Sequence, residues 1–257
     1  MNEQTILTTQ SPAVEARLRS NPARLREKRA EMDRQVNPYN PLYAVLPDGS
    51  WRGERCFIIG GGPSLKGFDF ERLRGKGRII AINRAFEHIP FADILFFMDW
   101  KYFYNEIKKA RLGDAVIAKW NAFGGYKAFL NMVGRRADDV HHIRSLGPTG
   151  LSRSLRGGLY HGNNSGCGAL NLAFCLGCNP IYLLGFDFKY DADGTSHWHD
   201  GYRRHVAESI TRGFAKRFET VEAMLKKLPG GGPRVVNLNR ESGLRAFPFE
   251  DIEEALT

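Results

Sequence analysis

The chain has 257 residues, 42% apolar and 25% charged, with a net charge of +9. That length suits one substantial α/β domain with appendages. No apolar run approaches the ~20 residues that span a bilayer, and the start Met1-Asn2-Glu3-Gln4-Thr5 lacks the basic and apolar regions of a signal peptide. A cytoplasmic protein is therefore expected, and its positive charge favours acidic partners: nucleotides, nucleic acid, anionic glycans or lipids.

In chain order, residues 1–50 read as a basic N-terminal arm. Its first twenty residues are polar, and Ser20-Asn21-Pro22 starts a charged helix from Ala23 to about Gln35. Arg17, Arg19, Arg24, Arg26, Lys28, Arg29 and Arg34 read as a solvated face. Asn37-Pro38-Tyr39-Asn40-Pro41 ends that helix, and Pro47-Asp48-Gly49 turns the chain toward Trp51.

From Arg55 strands and helices alternate. Cys56–Ile59 is predicted as the first strand, followed by Gly60-Gly61-Gly62-Pro63-Ser64 and a short helical segment, Phe68–Leu73. Arg78–Ile82 is the second strand, ending at Asn83, and Ile94–Met98 the third, ending at Asp99. Val116–Ala118 is a candidate fourth and His141–Ile143 another short one. Residues 145–162, with Arg153 and Arg156 and with Arg144 just before them, form either a basic lid over a diphosphate or a plain surface loop. Asn164 or Ser165 caps a helix to about Leu176, closed by Gly177. Ile181–Leu184 is a strong strand ending at Gly185-Phe186-Asp187. A long helix from about Tyr202 to Lys227 follows, with apolar residues at helical spacing, and then a last strand, Val235–Leu238.

This alternation predicts a doubly wound, mainly parallel sheet of Rossmann-like type, with helices on both faces, over residues 51–257. The cysteines Cys56, Cys167, Cys175 and Cys178 fall in strand-like or helix-like runs and read as small buried apolar residues. Cys175-x-x-Cys178 has no second pair to complete a zinc site.

Ligands of such sheets sit outside the C-terminal strand ends. Four strands deliver polar groups there: Gly60–Ser64, Asn83, Asp99 and Asp187. The triple glycine lets backbone N–H groups approach an anion, because no Cβ keeps the ligand away. It is neither a G-x-G-x-x-G fingerprint nor a Walker loop. Pro63 suits the first turn of a helix, and Ser64 offers a hydroxyl. His161-Gly162-Asn163-Asn164-Ser165-Gly166 is a second anion or ribose candidate, though Asn164 and Ser165 serve as a helix cap in either case. The densest polar segment runs from Asp187 to Asp200. There His197 and His199 can act as a general base, can hold a metal with nearby carboxylates, or can be surface histidines of a turn.

Ile58-Ile59-Gly60-Gly61-Gly62-Pro63-Ser64-Leu65-Lys66 with Ile80-Ala81-Ile82-Asn83 resembles the opening of the bacterial sialyltransferases that transfer from CMP-sialic acid to lipooligosaccharide. Asn164-Ser165-Gly166 ahead of Ala169–Gly177, then Ile181 to Phe188, and Asn237-Leu238 with Glu241-Ser242-Gly243-Leu244 continue the likeness. The same outline is similar to archaeal-type 6-hydroxymethylpterin diphosphokinases, with Gly194-Thr195-Ser196-His197 resembling their Gly-x-Thr-His. The first resemblance implies a glycosyltransferase with a CMP-sugar-like donor and no required cofactor. By that resemblance Gly60, Gly62, Pro63, Ser64 and Asn83 would hold the nucleotide, with Ser165 and Gly166 lining the site; Gly61, Asp99 and Asn164 join them as nucleotide-binding candidates by their places in the glycine loop, at a strand end and at the helix cap. His197 or His199, with Asp187, would carry the catalysis. The acceptor would be anionic, a glycan or nucleic acid, and a homo-oligomer is compatible with this reading. The second resemblance implies transfer of pyrophosphate from ATP with magnesium held by Asp99, Asp187 and Asp191. A non-catalytic binding or assembly module on the same fold is a third reading.

Overall fold

Strands that are apolar on both faces can only be stable between two layers of other elements. The computed structural model of the protein describes residues 40–109, 111–132, 135–190, 198 and 208–257, so the basic arm up to residue 39 lies outside the described residues. Its strands are β1 (Cys56–Ile59), β2 (Arg78–Ile82), β3 (Ile94–Phe97), β4 (Tyr126–Asn131), β5 (His141–Gly147), β6 (Leu159–Tyr160), β7 (Ile181–Leu184) and β8 (Val235–Asn237). They form one eight-stranded sheet in the order β6-β5-β4-β3-β2-β1-β7-β8. Every pairing is parallel. The Rossmann-like, doubly wound expectation holds. β1, β3 and β7 are buried along their whole length, as their unbroken apolar runs require.

The helices are α1 (Leu42–Val45), α2 (Asn105–Lys108), α3 (Asp114–Ala122), α4 (Ser165–Leu176), α5 (Glu208–Lys226) and α6 (Ile252–Leu256). Side chains alternate along a strand, which splits the core in two. Ile58, Ile80, Ile94, Phe96 and Leu183 face α4 and α5. Phe57, Ile59, Ile79, Leu95, Phe97 and Leu184 face the single-turn segments after β1 and β2, together with α2, α3 and α6. α4 is the inner helix, with nine of its twelve residues buried, so it is apolar all round rather than on one stripe. Asn164 caps it by accepting from the Cys167 N–H (2.9 Å), and Gly177 closes it at φ +85°. No helix among the described residues is long and apolar enough to cross a membrane.

One sequence expectation, the fourth strand, is corrected. Val116–Ala118 is not a strand but part of α3, where Val116 and Trp120 are buried one turn apart; three residues are too few to separate the two periods. The strand that follows β3 is instead Tyr126–Asn131, which begins directly after Gly124-Gly125. Residues 145–162 hold the end of β5 and the whole of β6, with a connection between them that is fastened to the rest of the fold. Asn171 of α4 fastens them: its Oδ1 accepts from the N–H groups of Ser152 (3.0 Å) and Tyr160 (3.1 Å), and its Nδ2 donates to the Ser152 carbonyl (2.8 Å). Asp48 accepts from the Leu155 N–H (2.6 Å) and the Ser154 hydroxyl (2.8 Å), and the Arg156 guanidinium lies over the Tyr43 ring at 5.5 Å. β1, β2 and β7 have the expected ends, β5 runs on to Gly147, and the expected start of the long helix near Tyr202 lies outside the described residues.

Asp139 ties the outer half of the second layer together. Its carboxylate accepts from the Tyr104 hydroxyl (2.6 Å), Lys108 Nζ (2.8 Å) and Trp120 Nε1 (3.2 Å). Burial pushes its pKa up, but the bonds from Lys108, Tyr104 and Trp120 outweigh burial and hold it below the ordinary aspartate value of 3.8. A carboxylate whose folded pKa is depressed adds stability above its unfolded pKa and loses it as pH falls through the folded one. Asp139→Asn is therefore expected to lower the melting temperature at pH 7 and to lessen the further loss below about pH 4. Melting curves from pH 7 down to pH 3 test this; a variant whose acid limb parallels the parent's would refute it.

Candidate functional site

The chain leaves β1 toward β2 on one side and leaves β7 toward β8 on the other. The crevice outside the C-terminal ends of β1 and β7 is thus the topological switch point, where open parallel sheets bind ligands. Two sequence-predicted groups, the glycine loop and Asp187, meet there. The Gly60 N–H donates to the Leu184 carbonyl (2.8 Å) and the Gly62 N–H to the Gly185 carbonyl (2.8 Å). Asp187, 2% exposed, accepts from the Ser64 N–H (2.6 Å) on Oδ2, and from the Ser64 hydroxyl (2.6 Å) and Asn239 Nδ2 (2.8 Å) on Oδ1. Ser242, fully buried, supports the same turn by donating its hydroxyl to the Phe186 carbonyl.

These contacts change the meaning of the glycines. Gly62 has φ −66° and ψ 147°, a conformation open to any residue, so conformational freedom is not the reason for it. A Cβ on Gly60 would lie 2.6 Å from the Gly185 carbonyl oxygen, and one on Gly62 2.5 Å from Asp187 Cγ. Glycine is required at both because the β7 end packs onto the loop. Three of the loop's N–H groups, those of residues 60, 62 and 64, are already bonded, and Pro63 has none. The Gly61 N–H has no partner among the described residues.

Trp198 covers the other side of the loop. Its backbone N–H donates to the Gly61 carbonyl (3.0 Å) and its indole Nε1 to the Gly60 carbonyl (3.0 Å). The ring packs between Phe70 (5.0 Å) and His88 (4.6 Å, edge-on). Burial, then Lys119, lowers the His88 pKa, which favours the neutral ring in this contact.

Asn83 follows β2. The ladder between β1 and β2 ends with Ile59 opposite Ala81, so Gly61 and Asn83 occupy the next corresponding positions on that side. Asn83 takes the left-handed conformation, φ +50°, which turns the chain away and leaves the ladder open. Its Oδ1 is enclosed and has no hydrogen-bond partner among the described residues. Buried polar atoms are nearly always paired, and left-handed non-glycine residues concentrate at functional positions.

The remaining predicted residues divide. Gly166 adjoins the same edge, where a Cβ would lie 2.6 Å from the Phe186 ring. The Asn164 side chain is occupied as the α4 cap and by the Gly162 carbonyl (3.3 Å). Ser165 opens α4. His161 is buried and accepts on Nδ1 from the Asn163 N–H (3.1 Å), and burial lowers its pKa. Asp99 lies past the end of β3, its carbonyl accepting from the Tyr104 N–H (3.3 Å). Asp187, read as catalytic or metal-holding, is the clamp of the glycine loop. His197, His199 and Asp191 lie outside the described residues. Trp198 and Asn239 were missed by sequence reasoning. The only available signal was their position, Trp198 between the two histidines and Asn239 just past the last strand.

No protein-family model matches this chain, and no curated protein does. Among solved structures, the sialyltransferase CstII from Campylobacter jejuni, in complex with a substrate analogue and described with cytidine-5'-monophosphate, is similar over 77% of this chain and 85% of that one. The identity is 16% and the TM-score 0.44, values at which the likeness carries no argument about activity.

Proposed function

We propose that the protein is a nucleotide-dependent transferase, a glycosyltransferase that takes a CMP-sugar-like donor and an anionic acceptor. The observation that carries this reading is Asn83: an enclosed, unpartnered amide oxygen on a left-handed residue, beside the glycine loop at the switch point. An acceptor atom so placed suits an amino or hydroxyl group of a nucleoside. The unpartnered Gly61 N–H next to it suits a phosphate oxygen.

His197 and His199 are the sequence neighbours of Trp198, which is bonded to Gly60 and Gly61. One of them removes the proton from the acceptor hydroxyl. The acceptor oxygen bonds to the anomeric carbon of the donor sugar, and the bond from that carbon to the phosphate oxygen breaks. The nucleotide leaves with the electron pair. The net charge of +9 favours an anionic acceptor, a glycan or nucleic acid. No observation favours the diphosphokinase reading, since both Asp187 oxygens accept bonds from Ser64 and Asn239.

The test is a thermal-shift screen of CMP, CDP, UDP, GDP and ATP, each with and without magnesium, on the parent and on Asn83→Gly. Glycine keeps the left-handed backbone while removing the side chain with its amide. The parent is expected to shift with a cytidine nucleotide without magnesium, and the variant to bind about tenfold more weakly, as for one lost buried hydrogen bond. His197→Ala or His199→Ala should retain that binding and lose transfer. A parent that shifts with none of the five refutes the reading; one that shifts only with ATP and magnesium replaces it with the diphosphokinase.

A further inference from the structure

A trans peptide is planar, so its C=O and N–H point in opposite directions. In the unit joining Gly60 to Gly61, the Gly60 carbonyl accepts from the Trp198 indole at 3.0 Å. The N–H at the other end of that plane, belonging to Gly61, therefore points away from the Trp198 indole. The following unit is held at both ends: the Gly61 carbonyl by the Trp198 N–H (3.0 Å) and the Gly62 N–H by the Gly185 carbonyl (2.8 Å). The unit joining Gly60 to Gly61 has no such second anchor, because its N–H is the loop amide left without a partner among the described residues. Glycine on both sides of that plane removes the steric barriers that would otherwise fix it. Among the described residues, the indole bond is the hydrogen bond made to that unit itself. The ring is in turn held between Phe70 and His88.

We propose that Trp198 is a positioning residue for anion binding: its indole N–H holds the plane between Gly60 and Gly61 so that the Gly61 amide, on the side opposite the indole, is left to bond a phosphate oxygen of the ligand. This rests on the nucleotide reading above and adds to it which loop atom meets the phosphate and what aims it. It also places the anion contact at a single amide, in contrast to loops that wrap a phosphate with several successive N–H groups.

Trp198→Phe keeps an aromatic ring between Phe70 and His88 and removes the indole donor, so it separates aiming from packing. The experiment is NMR of the full chain carrying ¹⁵N-glycine, titrated with CMP and separately with cytidine, on the parent and on Trp198→Phe. In the parent, the Gly61 amide is expected to move with CMP and not with cytidine. In the variant, CMP affinity should fall about tenfold, the size of one charge-assisted hydrogen bond, while cytidine affinity stays as in the parent. A purely structural role for Trp198 would weaken both ligands alike. If CMP binds without moving Gly61, or the variant binds CMP as tightly as the parent, the inference is overturned and the nucleotide reading stands. If the parent binds neither CMP nor any other nucleotide of the screen, the reading fails and the inference falls with it.

Discussion

Asp187→Ala is expected to destabilise the protein by about 3 kcal/mol, because it leaves the Ser64 N–H and Asn239 Nδ2 without the carboxylate that receives them. For a chain of this size that corresponds to a melting temperature lower by roughly 6–12 °C. The loss should be visible with no ligand present, since all three bonds to Asp187 lie within the protein. Asp187→Asn keeps the volume and one acceptor oxygen and is expected to fall between the parent and Asp187→Ala. Denaturant titration of the three proteins decides the matter. Equal midpoints for parent and Asp187→Ala would show that the carboxylate is not the clamp, and would return it to the list of groups meant for a ligand.

Gly62→Ala should cost a similar amount, about 3 kcal/mol, for a different reason. The backbone at 62 already has a conformation that alanine adopts, and removing glycine from the unfolded chain would by itself stabilise by under ~1 kcal/mol. Sterics decide the sign. The added carbon would lie 2.5 Å from Asp187 Cγ and 2.7 Å from the Gly185 carbonyl oxygen, and neither backbone nor clamped carboxylate can yield cheaply. Because the two sites touch, the double variant Gly62→Ala/Asp187→Ala should cost less than the two single changes added together. Additive losses, or a Gly62→Ala protein as stable as the parent without ligand, would mean that the glycine serves an incoming ligand rather than the approach of β7.

These two results bear on how the glycine loop is read. In the sequence, three glycines after a strand suggest phosphate cradling by backbone amides. In the structure, two of the three are needed for contact between neighbouring strand ends, and among the described residues the loop is left with one open amide, that of Gly61. The same loop can still hold an anion, but through a narrower contact than its composition suggests. Asn83 is the reverse case. In the sequence it is one polar residue after a strand. Its left-handed backbone and enclosed, unpartnered oxygen distinguish it only once the fold is known.

Much of the architecture was legible because it depends on local patterns. Unbroken apolar runs at 56–59 and 181–184 mark strands buried on both faces. Asn164 and Gly177 mark the two ends of α4 through capping chemistry that needs no tertiary partner. The alternation of such segments suffices for a parallel doubly wound sheet. The errors fall where local patterns are ambiguous. Val116–Ala118 is too short to show a period, and the strand at 126–131 begins right after two glycines. Residues 145–162 resemble a lid in glycine, serine and arginine content. They are fastened because one buried side chain, Asn171, reaches them from a helix that begins only later in the chain.

What the sequence alone determined, then, is the class of sheet, the position of its inner helix and the edge at which polar residues collect, since periodicity and capping act within a few residues. Only the tertiary structure decided which of those polar residues are occupied by the protein itself. Asp187 binds Ser64, 123 positions away, and Trp198 binds Gly60, 138 positions away. Contacts between residues so far apart leave no mark in local spacing, so the difference between a clamped carboxylate and an open amide appears only when β1 and β7 lie side by side.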